Sequence, residues 1–241
     1  KGPGIKSISK DDLLKATKYF MFYSEEKENI IKPLAIESNE GTGSMGDDTA
    51  LAVVSRMPRQ IYDFFRQQFA QVTNPPIDSL RESSVMSLET CFGPELNIFE
   101  ESESHAKRIV TTSPILSHKK LASLLANKLF LSEEFDLSYH INEELETAIK
   151  SLGNRVIASV KKGTTLIHLR EGLPTKKRLV INALLATGYI HQQLVSLGLR
   201  SDANIIVSTG SARDTHSIAC LISFGATAVF PWLAFQSILH L

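Results

Sequence analysis

The sequence predicts an α/β fold whose second half consists of parallel βαβ units resembling half of a (β/α)8 barrel. Short apolar runs at 164–169, 203–207 and 226–230 have the length and composition of strands buried on both faces. Segments with helical spacing separate these runs, as in right-handed βαβ units. An open parallel sheet would produce the same pattern, so the sequence leaves both architectures possible.

The first 112 residues predict helices and irregular segments packed against that unit. Ser9 and Asp12 suit the start of a helix over 13–19, and Ser24 that of a second helix to about residue 35. Pro58 suits the first turn of another helix, whose apolar stripe we assign to the core: Ile61, Phe64, Phe65, Phe69 and Val72. Pro75 and Pro76 end it, and Asp78 caps a short helix to Val85.

The remaining elements follow in chain order. Alternating apolar and polar residues predict a strand over Phe135–Ile141, and Asn142 is placed to cap the next helix. Gly163 ends that helix, and Gly198 ends a later one over 184–197. The remaining predictions are a helix over 214–224, a strand over 226–230 and a last helix opened by Pro231.

Composition excludes several classes of protein. The 241 residues carry 26 basic and 26 acidic side chains, so net charge offers no attraction to nucleic acid or anionic lipid. The apolar segment 218–241 is broken by Gly225 and Pro231, which favours a buried segment over a membrane span. Two cysteines without metal spacing, Cys91 and Cys220, predict a reducing compartment, and their apolar surroundings predict thiols that are buried or inert.

No constellation for catalysis is visible. Ser44, Ser113 and Ser211 have no arranged base, and no histidine or cysteine cluster has metal-ligand spacing. The segment 41–46 matches GxGxxG, but a helix precedes it and an extended run follows, which is the wrong context for a dinucleotide site. We interpret it as a glycine-rich turn.

Ligands of parallel sheets bind beyond the carboxyl ends of the strands, which directs attention to 168–172, 208–214 and 230–232. Ser211 and Arg213 lie between a strand and a helix N-terminus, where backbone donors and a guanidinium can hold an anion. The alternative is that Ser211 or Asp214 caps the helix while Arg213 pairs with a carboxylate.

A series of motifs resembles the central domain of the large subunit of glutamate synthase, from about residue 11 to 241. They are Ser44-Met-Gly-Asp-Asp-Thr49, 58–63 (PRQIYD), 71–78 (QVTNPPID), 86–90 (MSLET), 93–95 (GPE), 113–116 (SPIL), 202–207 (DANIIV), 212–214 (ARD) and 224–226 (FGA). The sequence departs from the family at Cys91, Asn182 and Ser208, where a tyrosine-like residue, proline and glutamate are usual; these departures affect loop details.

The resemblance implies one central domain over 1–241, with a helical and irregular part at 1–112 and a βα part at 113–241, cut from a longer chain. It implies a parent that makes two glutamates from glutamine and 2-oxoglutarate with electrons from NADPH or ferredoxin. The parent's neighbouring domains are a glutamine amidotransferase domain and an FMN and iron–sulfur synthase domain. Its location would be cytoplasmic, or plastid in a plant-type enzyme.

The resemblance further implies a role without chemistry of its own: joining the two catalytic domains and lining part of the ammonia tunnel between them. No cofactor and no activity are expected of the isolated chain. Rigid neutral polar groups suit a tunnel wall, which selects Met45, Gly46, Thr73 and Asn74, with Asp47 and Asp48 anchoring adjoining loops. Two alternatives stay open: a turn at an interdomain contact, and a stand-alone FMN-binding α/β oxidoreductase domain.

Overall fold

The predicted parallel sheet is present in the computed structural model, which describes residues 7–41, 52–56, 58–66 and 77–241. In spatial order its strands are β3 (Leu131–Asp136), β5 (Thr164–Arg170), β7 (Asn204–Thr209) and β8 (Ala228–Pro231), and the three pairings between neighbours are parallel. The chain is therefore an α/β protein, as the sequence predicts.

Helices connect these strands and precede them. They are α1 (Lys10–Tyr19), α2 (Ser24–Glu26), α3 (Ser79–Val85), α4 (His118–Leu125), α5 (Leu145–Lys161), α6 (Ala183–Ser196), α7 (Thr215–Ser223) and α8 (Trp232–Ile238). Two small antiparallel pairs accompany the sheet: β1 (Thr90–Phe92) with β2 (Ile109–Thr111), and β4 (Ser138–His140) with β6 (Arg178–Val180).

Apolar side chains cover both faces of the parallel sheet. On one face, Ile167, Leu169 and Val207 pack against α5, α6 and α7. On the other face, Leu166 and Ile206 pack in a cluster that includes residues of α4 and β1. Burial on both faces explains why these strands form continuous apolar runs in the sequence.

Several local predictions are confirmed. The Ser9 side chain accepts a hydrogen bond from the Asp12 N–H at the start of α1, and Asp78 caps α3 through Leu80 and Arg81. Gly163 and Gly198 follow α5 and α6 with φ of +96° and +68°, the left-handed conformation that favours glycine after a helix.

The predicted strand over Phe135–Ile141 is wrong, because the structure divides it at Leu137. The part up to Asp136 pairs with β5, whereas Ser138–His140 pairs with β6. Asp136 Oδ1 accepts a hydrogen bond from the Ser138 N–H at 2.9 Å, an Asx turn that redirects the chain. The Asn142 cap is also wrong: α5 begins at Leu145 after Glu144.

Two N-terminal helices also differ from prediction. After α2 the backbone widens into π-helical turns over Lys27–Ile31 and Pro33–Glu37, where Pro33 lacks an N–H donor. The only helical turn within 58–66 is a 3-10 turn over Ile61–Phe64, and Phe64 is 60% exposed rather than in the core. Phe69 and Val72 lie outside the described residues.

Candidate functional site

The three strand ends that the sequence singles out meet in one cleft. It has a volume of about 390 Å³ at the carboxyl edge of β5, β7 and β8, and α4 closes one side. Its lining includes His168, Arg170, Gly172, Ser208, Phe230 and Trp232. This is where parallel α/β sheets place ligands, so the topology positions these side chains as the sequence predicts.

A chain of polar side chains crosses the strands at the base of this cleft. His168 Nε2 lies 2.7 Å from Ser208 Oγ, and its Nδ1 lies 3.2 Å from Glu134 Oε2, within ion-pair distance but outside hydrogen-bond geometry. Arg170 bridges Glu134 and Asp136 at 2.7 Å each. Adjacent register on β3, β5 and β7 brings these groups together.

The electrostatics of this chain favour an uncharged imidazole. Burial lowers the pKa of His168, and Arg170 acts in the same direction against the opposing Glu134 carboxylate. A neutral His168 can accept the Ser208 hydroxyl proton in a hydrogen bond. The order serine, histidine, acid resembles that of hydrolases, but Ser208 is 4% exposed within an extended strand, not at an exposed turn. The sequence reasoning missed this pairing, because only the register brings 168 and 208 together.

Glu171 forms a second polar centre directly after β5. Its carboxylate accepts hydrogen bonds from the Ala183 N–H at 2.8 Å, the Gly210 N–H at 3.1 Å and the Ser211 hydroxyl at 2.9 Å. The Thr209 hydroxyl donates to the same carboxylate. Burial raises the pKa of Glu171, and these hydrogen bonds oppose the shift. Glu171 thus ties the β7–α7 loop to the start of α6.

Ser211 and Arg213 both make internal contacts. Besides Glu171, the Ser211 hydroxyl lies 3.1 Å from that of Tyr62. The Arg213 guanidinium pairs with Glu26 at 2.7 Å and donates to the carbonyls of Phe20 and Met21. Asp214 caps α7 by accepting from the Ser217 N–H. These contacts correspond to the alternative interpretation, and binding of an external anion stays a prediction.

The six residues selected for a tunnel wall or interdomain contact lie outside the described residues. They are Met45, Gly46, Asp47, Asp48, Thr73 and Asn74. The described stretch 58–66 between them is anchored beside the β7–α7 loop. Gln60 Nε2 donates to the Phe20 carbonyl, Tyr62 contacts Ser211, and His216 Nε2 donates to the Tyr62 carbonyl at 2.8 Å.

The remaining features are metal ligands, membrane-spanning helices and the two cysteines. Within the described ranges, no group of three or more histidine, cysteine or acidic side chains could hold a metal ion, and no helix is long and apolar enough to cross a membrane. Cys220 is buried, and burial raises the pKa of its thiol. Cys91 is exposed, which corrects the prediction that it lies in apolar surroundings; whether its thiol is inert stays a prediction.

Comparison with known proteins identifies the family. A sequence model described as "Glutamate synthase central domain" matches residues 15–241. The chain is 39% identical over 237 residues to the chloroplastic ferredoxin-dependent glutamate synthase of Oryza sativa subsp. japonica, covering 96% of this chain and 15% of that protein.

Similar relatives occur in bacteria. Identity to ferredoxin-dependent glutamate synthase 2 of Synechocystis sp. is 39%, covering 91% of this chain and 14% of that protein. Identity to the glutamate synthase [NADPH] large chain of Bacillus subtilis is 35%, covering 94% of this chain and 15% of that protein. The chain thus spans only 14–15% of the length of these relatives. The chain belongs to the glutamate synthase central domain family.

Proposed function

We propose that this chain is a non-catalytic central domain that joins the glutamine amidotransferase and FMN synthase domains of a glutamate synthase and lines part of the ammonia tunnel between them. The observation that carries the proposal is the family match over residues 15–241, in a chain that spans one small part of its relatives. The parent would make two glutamates from glutamine and 2-oxoglutarate, with ferredoxin or NADPH as electron donor.

The proposed boundaries are one domain over 1–241, with parts at 1–112 and 113–241. FMN and the iron–sulfur cluster would belong to the neighbouring synthase domain. Relatives include chloroplastic and cyanobacterial enzymes, so we place the parent in the cytoplasm or, for a plant-type enzyme, in the plastid. Partners would be the two neighbouring domains and an electron-donor subunit or ferredoxin.

The buried contacts around the β7–α7 loop support a structural role for this region. Phe20 packs so closely on Gly210 that a Cβ there would lie 2.4 Å from its ring. Arg213 is already paired with Glu26 and is 8% exposed in its side chain. Because N-terminal residues occupy the β7–α7 loop beside the open cleft, we do not favour the alternative of a stand-alone FMN-binding domain.

The tunnel assignment concerns Met45, Gly46, Thr73 and Asn74, with Asp47 and Asp48 as anchors. Ammonia must cross between active sites without meeting bulk water, where it would be protonated. A wall for this purpose needs rigid backbone and neutral groups that exchange hydrogen bonds without trapping the guest. Thr73 and Asn74 before two prolines have this chemistry. The described stretch 58–66, which lies between these positions in the sequence, contacts Phe20 and the β7–α7 loop.

The test uses the complete parent enzyme carrying Thr73→Val or Asn74→Leu. We expect glutamine-dependent glutamate synthesis to fall, while the separate glutaminase and synthase half-reactions persist and ammonia appears in solution. Thr147→Val, an exposed position on α5, is the matched control and should leave coupling unchanged. Unchanged coupling in both tunnel variants would assign Thr73 and Asn74 to the turn alone.

A further inference from the structure

A second cavity, separate from the cleft at β5, β7 and β8, lies between α5 and the β4–β6 pair. Its volume is about 210 Å³, below the roughly 300–1,000 Å³ typical of sites for drug-sized ligands, so it suits a small metabolite. Apolar side chains of Ala148, Leu152 and Ile181 form part of its lining, and each is at most 5% exposed.

Charged groups of both signs line this cavity without neutralising one another. Arg155 lies over the Phe135 ring at 5.9 Å and forms no hydrogen bond or ion pair within the described parts of the chain. Among the described residues, the exposed Arg178 guanidinium donates only to Ser138, at 2.8 Å to its hydroxyl and 2.7 Å to its carbonyl, and neither contact cancels its charge.

The negative charge available to a ligand comes from Glu143. Its carboxylate has no hydrogen bond or ion pair to any described residue, including the two arginines of the same cavity. The other acidic group in the lining, Asp136, already pairs with Arg170 at 2.7 Å and accepts a hydrogen bond from the Ser138 N–H. Two cations and one anion are therefore held apart around a partly apolar cavity.

We propose that this cavity binds a free acidic α-amino acid, for which L-glutamate serves as the probe. The two carboxylates of such a molecule pair with Arg155 and Arg178, and its ammonium pairs with Glu143. The methylene groups between them lie on Ala148, Leu152 and Ile181. Charge-assisted bonds to both ends select a zwitterion with an extra carboxylate over a simple anion. This inference rests on the cavity alone and does not depend on the proposed tunnel role.

The experiment is calorimetric titration of the 241-residue chain with L-glutamate, glutarate and L-alanine. Glutarate has both carboxylates but no ammonium, and L-alanine lacks the second carboxylate. We expect saturable glutamate binding with 1:1 stoichiometry. Affinity for each analogue should be lower by about tenfold or more, since each loses one charge-assisted contact.

Variants locate the site. Glu143→Gln should weaken glutamate binding by about tenfold and abolish the preference over glutarate, and Arg155→Gln should weaken both ligands. Glu146→Gln is the matched control, because Glu146 lies on α5 outside the cavity and pairs with Lys150; it should bind like the parent chain. Absence of saturable binding, equal affinity for glutamate and glutarate, or unaltered binding by Glu143→Gln would each overturn the proposal.

Discussion

The βα part and the described N-terminal residues (7–41, 52–56 and 58–66) are held in place by different contacts. Between β3 and β8, buried apolar side chains such as Ile167 and Val207 pack the sheet on both faces. The N-terminal residues bury two smaller apolar clusters, one with Leu13, Ala16 and Phe20 on Leu233 and one with Phe22 and Ile31 on Ala234. Much of their attachment is polar, through Arg213, Gln60 and Tyr62.

Apolar packing and polar attachment should respond differently to single substitutions. Apolar packing depends on the buried area of many side chains, so it resists single changes outside the core. Polar attachment depends on a few groups whose partners, if unpaired, remain buried at a cost of about 1–3 kcal/mol each. Single substitutions outside the apolar core should therefore separate the N-terminal residues from the sheet more readily than they disrupt the sheet.

The largest effect is expected from Ile167→Ala in the sheet. Ile167 is fully buried, so the change should lower the free energy of unfolding by about 2–5 kcal/mol through lost burial and a cavity. Leu13→Ala at the edge of the N-terminal cluster is the comparison and should cost less, since Leu13 is 8% exposed. Urea unfolding followed by circular dichroism measures both. A larger cost at Leu13 would reverse the ranking of the two regions.

An intermediate effect is expected from Arg213→Gln. Removing the Arg213 guanidinium breaks the ion pair with Glu26 and the hydrogen bonds to two backbone carbonyls. The free energy of unfolding should fall by about 2 kcal/mol. The loss should fall on the N-terminal residues, so limited proteolysis should cut within 7–66 while the βα part persists. Arg155→Gln also removes an arginine above an aromatic ring and serves as control, because Arg155 holds no carbonyl or carboxylate. Equal protease resistance in the two variants would refute a polar attachment at Arg213.

The smallest expected effect is the pH dependence that His168 gives to the stability of the sheet. Its lowered pKa means that the folded state resists protonation, so the stability contributed by neutral His168 is present above its unfolded pKa near 6.5. That contribution is lost as the pH falls through the lowered folded value. NMR titration of the imidazole should therefore show a midpoint below 6.5. A midpoint above 6.5 would mean that the Glu134 carboxylate, not burial, controls this histidine.

Local chemistry made several features predictable. The Ser9 and Asp78 caps and the glycines after α5 and α6 depend on hydrogen bonds and φ angles within a few residues, so the sequence reports them directly. The meeting of strand ends at the cleft follows from parallel topology, which needs only the order of elements. Prediction failed at Asp136, where one alternating run serves two different sheets, because periodicity does not identify the partner strand.

The sequence by itself determined the alternation of strands and helices, the family and the strand ends where polar groups would gather. Only the tertiary structure decided which groups meet there. The buried Glu171 carboxylate accepts hydrogen bonds from the β7–α7 loop, His168 contacts Ser208 across β5 and β7, and Arg213 pairs with Glu26. These contacts join residues 39, 40 and 187 positions apart, so they depend on register and packing rather than on local hydrogen bonding.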